Sequence, residues 1–213
     1  FGYTYLAPIA SGGLAVPMGA HIRGAFSAIW IMLYALQSTL IHRRRFRYHR
    51  QLGYFGALIL LGFTLSLFSV GNFVVVRDLQ QGNVDFAYNQ LIGVLTSGLW
   101  VLILGLLGVY FRKHSRMHKS LIFLATVVIL WPAWARWRHY FSGMSYSEWW
   151  FGVVVPYVFI PLAWLYEKRK TGKVHPVLVV VGCLIILEGT LTGLFQGSQG
   201  VQTFTKWFYH LFV

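Results

Sequence analysis

The stretch IHRRRFRYHRQLG, residues 41–53, sets five arginines and two histidines between two apolar runs. Such a stretch suits three tasks: gripping nucleic acid, ligating a metal or haem through His42 and His49, or marking one side of a membrane. Its flanks decide between them. Upstream lies IRGAFSAIWIMLYALQSTLI (22–41) and downstream another long apolar run. A helix needs roughly 20 mostly apolar residues to cross the hydrocarbon of a bilayer, and both flanks qualify.

Six stretches meet that length, at about 22–41, 51–74, 90–111, 119–138, 149–166 and 176–196. None alternates as a barrel strand does, and most are apolar all round, as lipid-exposed helices are. Composition agrees: 57% of residues are hydrophobic, 18% aromatic and only 11% charged, where a soluble domain carries about 25% charged residues. The expected fold is an all-α, polytopic transmembrane helix bundle of about six spans. It forms a single transmembrane domain over 1–213, and the aromatic-rich segment 197–213 lies along the interface.

Charge alternates between the connections. Arg43, Arg44, Arg45, Arg47 and Arg50 fall in the first, Arg112, Lys113, Arg116 and Lys119 in the third, and Lys168, Arg169, Lys170 and Lys173 in the fifth. These are thirteen of the 18 basic residues; Arg23, Arg77, Arg136, Arg138 and Lys206 remain. Short basic loops stay cytoplasmic. Loops 42–50, 112–119 and 167–175 are therefore expected inside, both termini outside, and the whole chain in a cell inner (cytoplasmic) membrane. The net charge of +13 is then topological. Its expected partner is the anionic headgroup layer, not nucleic acid. The chain begins at Phe1, as a processed or incomplete chain does, and residues 1–20 carry no signal-peptide pattern.

Several chemistries lack their residues. Cys183 is the single cysteine, which removes disulfide frameworks and cysteine-built metal centres. Five carboxylates, Asp78, Asp85, Glu148, Glu167 and Glu188, are too few and too scattered for a di-iron centre or a glycosidase pair. No P-loop, nucleophile elbow, HExxH or dinucleotide fingerprint is present. No catalytic residue is expected, and no metal site besides the histidines, which suit a haem or a metal.

Two sets of residues remain as candidates. Histidine is the usual axial ligand of b-type haem, and His49 and His118 both fall near the start of an outward-running helix, at the basic edge. His21 and His139 fall at the opposite edge. The 21 residues from His118 to His139 span about 31 Å of helix, the full hydrocarbon thickness, which counts against two stacked haems and leaves one inner site. The second set is His21, Arg23, Arg136, His139 and Glu188. Glu188 lies about 18 Å into helix 6, where a carboxylate is costly unless paired. Arg136 or Arg23 is its expected partner, with Gln37 and Asn72 as polar company. Pro132 should kink helix 4 beside Arg136. Gly189, Gly193 and Gly197 form a small-residue ridge expected to pack within the bundle. The tryptophans near the outer edge, Trp131, Trp134, Trp137, Trp149 and Trp150, are expected as an aromatic belt.

HRQLGYFGALI (49–59), RMHKSLIFLAT (116–126) and WPAWAR (131–136) resemble a group of uncharacterised bacterial six-helix integral membrane proteins with HRxxG and HKxxxxLAT motifs. The matching positions are His21, His49, Arg50, Gly53, His118, Lys119, Leu124, Ala125, Thr126, Pro132, Ala133 and Arg136. The resemblance implies the topology over helices 1 to 4 and supplies no reaction. A looser likeness, resting on histidines in a small bundle, is to cytochrome-b-type membrane proteins.

The first expectation for function is a non-catalytic accessory or scaffolding subunit, working with other membrane subunits, because the loops are too short for a soluble catalytic site. The alternatives are a redox carrier binding one b-type haem or a quinone, and a small proton-coupled transporter using Glu188.

Overall fold

The computed structural model describes residues 18–80, 82–83 and 87–212; Asp85 and most of the loop apex around it lie outside them. The described chain is helical: α1 (Met18–His42), α2 (Phe46–Gln80), α3 (Asn89–Tyr110), α4 (Ser115–Ala135, tightening into a 3₁₀ turn over Arg136–His139), α5 (Ser147–Thr171), α6 (Pro176–Phe195) and α7 (Gln199–Phe212). The first six are long and apolar enough to cross a membrane. The protein is a polytopic membrane helix bundle.

The helix ends differ from the sequence expectation. α1 starts four residues early, and α2 runs from Phe46 to Gln80 instead of 51–74. At 1.5 Å per residue α2 is about 52 Å long, so it projects well past a hydrocarbon core of about 30 Å. The segment 42–50, expected as a loop, is thus largely helix, as are residues 75–80 beyond the expected end of the span. Arginine is a good helix former, so Arg47 and Arg50 mark the membrane edge without ending the helix. Only Arg43–Arg45 turn the chain. There the Arg45 N–H donates to the Leu40 carbonyl and the Arg44 N–H to that of Ile41, a Schellman closure. Arg44 takes the left-handed conformation (φ 56°) that usually calls for glycine. Gly172 (φ 76°) serves in the same way after the Lys168–Lys170 turn that ends α5.

Consecutive helices pack as antiparallel neighbours, and α4 is central: half of its apolar window is buried, against 17% for α1, α5 and α6. The core joins Leu60 and Phe63 of α2, Val101 and Leu104 of α3, Leu121 and Leu124 of α4, Ile160 of α5 and Ile185 of α6. Outward faces carry Leu58, Leu65, Leu106, Leu165, Leu187 and Leu194, all exposed. Water would penalise such a surface by about 25 cal/mol per Å², whereas lipid accepts it. Close approach depends on missing Cβ atoms. Leu60 and Leu67 of α2 fill the space beside Gly105 and Gly98 of α3. On α6, Tyr157 lies across Gly189 and Val153 against Gly193, so the ridge packs on α5 inside the bundle; Gly197 meets nothing within 4 Å.

Buried polar groups pair between helices. Trp30 Nε1 donates to Thr126 Oγ1 at 3.1 Å, tying α1 to α4. Glu167, 4% exposed, accepts the His175 N–H at the start of α6 (3.1 Å) and lies 3.5 Å from Lys119 Nζ. Within α5, residues Trp150–Val154 form a π-helical turn before Pro156. Proline brings no N–H to the carbonyl four residues back, and Trp131 Nε1 donates to that carbonyl, Gly152 O, at 2.6 Å. α7 segregates its apolar and polar residues onto opposite faces and is held at the end of α2 by Tyr209 Oη donating to Asn72 Oδ1 at 2.6 Å.

Candidate functional sites at the two ends of the bundle

The first site lies at the basic end. His49 is the fourth residue of α2 and His118 the fourth of α4, so antiparallel threading through α3 returns both to the same level. Their rings stand 6.3 Å apart between centroids, at 87°. His118 Nδ1 is 2.8 Å from the Gly108 carbonyl, which lies in the last turn of α3 where carbonyls lack helical partners. The N–H therefore sits on Nδ1, and Nε2 keeps a lone pair for a ligand. Gly108 also lets α4 approach, since a Cβ there would meet Ile122. Among the described residues no hydrogen-bond partner reaches the buried His49 Nδ1 or Gln37 Oε1, while Gln37 Nε2 donates to the His49 carbonyl at 3.1 Å.

A ring separation of 6.3 Å leaves the two imidazoles within reach of one shared metal ion, whose bonds to nitrogen are about 2.1 Å. Among the described residues no group of three or more His, Cys, Asp or Glu side chains could hold a metal ion. The pair brings together two imidazoles, a donor set that would suit haem. The arginines and lysines of the basic loops would supply positive charge for its propionates.

The second site is a cavity of about 570 Å³ at the opposite end, lined by all six spans. Arg23 of α1, Arg136, Arg138 and His139 beyond α4, Glu148 of α5 and Glu188 of α6 all line it, with Trp131 and Tyr157 among its apolar walls. His21 lies between the lining residues Ala20 and Arg23 and is not among those lining the cavity. The Arg23 guanidinium sits 5.1 Å over the Phe63 ring.

Glu188 finds a partner close to home. Its Oε1 accepts from Thr192 Oγ1 at 2.9 Å, one turn along its own helix, while Arg23 and Arg136, the arginines expected beside it, share its cavity. Gln37 and Asn72 do not join Glu188. Gln37 is 14 residues, about 21 Å, along α1 from Arg23, at the basic end, and Asn72 accepts from Tyr209. Trp131 lines the cavity and caps Gly152, roles beyond an aromatic belt. Sequence reasoning also missed Gly108 as the group orienting His118. Nothing in a glycine's identity announces that its carbonyl will face a histidine ten residues on.

The chain matches no family model, no curated protein and no solved structure.

Proposed function

We propose that this membrane protein is a redox carrier holding one b-type haem between His49 and His118, at an end of the bundle that faces the cytoplasm. The perpendicular rings 6.3 Å apart carry the reading. The Nδ1 hydrogen bond from His118 to Gly108 supports it, because a second hydrogen bond that fixes the tautomer is the usual companion of a ligating histidine. A haem so held would supply one-electron redox chemistry. The chain's own part would be to present both imidazoles and balance the propionates with basic side chains.

The short loops suit association with other membrane subunits. A one-electron carrier needs a donor and an acceptor, so the scaffolding expectation becomes part of this reading. The transporter reading gains less, since Glu188 is hydrogen-bonded within its own helix.

Titrating the purified full chain with hemin tests the proposal. One equivalent should give a Soret band with sharp low-spin bands on reduction, lost in His49→Ala and in His118→Ala. His114→Ala, altering a histidine in the α3–α4 turn, should keep them. Failure to take up hemin, or equal uptake by both ligand variants, would overturn it.

A further inference from the structure

We infer that the cavity at the non-basic end binds an anionic lipid, its phosphate or carboxylate head at Arg23, Arg136 and Arg138 and its chain in a groove between α3 and α6. Two observations combine, and neither involves the histidine pair.

The first is charge. Three arginines and His139 share the cavity with two carboxylates, Glu148 and Glu188. Arg23 and Arg136 lie within electrostatic reach of each other, although they come from helices α1 and α4 that need not have placed like charges together. Arg23 lies within the first span, where a cation is costly and marks a ligand or ion path. A guanidinium fork matches the oxygens of a phosphate or carboxylate, so cations converging on one chamber suit an anionic head.

The second is the exit. A groove of about 430 Å³ adjoins the cavity and shares Thr96, Glu188, Thr192 and Gln196 with it. Its other walls include Ile92 and Trp100 of α3 and Leu187, Leu191 and Phe195 of α6. Leu187, Leu191 and Phe195 are exposed on the outer face of the bundle, which lipid covers. A chamber with charged side chains on its walls, adjoining an apolar slot that faces lipid, fits a molecule with a charged head and a hydrocarbon tail. A free anion would have no use for the slot.

The test uses the full chain in nanodiscs of neutral phosphatidylcholine, read by thermal unfolding with three probes: decyl phosphate, inorganic phosphate and decanol. Decyl phosphate should raise Tm in a saturable way, with apparent affinity at least tenfold above either of the others. Arg23→Gln should weaken decyl phosphate at least tenfold. Leu191→Trp, which fills the slot from an exposed position, should weaken decyl phosphate while leaving the response to inorganic phosphate unchanged; it carries the test if Arg23→Gln does not fold. Equal affinity for inorganic phosphate would reduce the site to one for free anions. Equal affinity for decanol would remove head recognition. Either result overturns the inference, as would unchanged binding in both variants.

Discussion

The indole Nε1 of Trp131 donates to the Gly152 carbonyl at 2.6 Å, filling a position that Pro156 leaves without a helical donor. Trp131→Phe should therefore cost about 1 kcal/mol, the loss of a hydrogen bond to a part-buried carbonyl. Pro156→Ala returns an N–H four residues on, so the double variant should recover much of that loss. Chemical unfolding of the four proteins in detergent gives the coupling energy. Strict additivity would show that the two residues do not address the same carbonyl.

Gly189 accepts the ring of Tyr157, whereas Gly197, eight residues on, has open space. Gly189→Ala should destabilise by about 1–3 kcal/mol through overpacking and should disturb the cavity that Tyr157 lines. Gly197→Ala should stay within about 0.5 kcal/mol of the parent. Comparable effects at both positions would contradict the α5–α6 packing.

Arg44 occupies a left-handed position with φ 56°. A non-glycine residue pays about 1 kcal/mol there, so Arg44→Gly should hold or raise Tm. Arg44→Ile, whose β-branch fits the region worst, should lower it. A rise with isoleucine would mean that the turn adopts another conformation in the membrane.

Sidedness follows from the charge asymmetry. On a Cys183→Ser background, a cysteine replacing Gly143, in the α4–α5 connection, should react with an impermeant maleimide in intact cells. A cysteine replacing Arg44 should react only after lysis. The reverse pattern would place the basic loops, and with them the histidine pair, outside.

Spans were legible because a run of about twenty apolar residues matches the thickness of a bilayer and would be costly in water; their ends were not. In α2 the chain stays helical through Arg77 and Asp78, which neutralise each other at 2.6 Å, so charge alone did not stop the helix. The shared level of His49 and His118 followed from counting along the chain. That α2 and α4 bring the two rings together is a tertiary fact, carried by the α3 helix between them and by Gly108. Gln37 was misplaced because a polar residue in an apolar run shows that it needs a partner, not which end of the bundle supplies one. Glu188 shows a related limit: its depth signalled a need for pairing, and part of that need is met by Thr192, at helical spacing on the same element.

The most direct test of the central claim is the electron paramagnetic resonance spectrum of the hemin-loaded ferric protein. Two axial imidazoles with planes near 87° should give the strongly anisotropic low-spin signal of perpendicular ligands, absent in His49→Ala and in His118→Ala. A high-spin spectrum, or a low-spin one that survives loss of either histidine, would contradict the account.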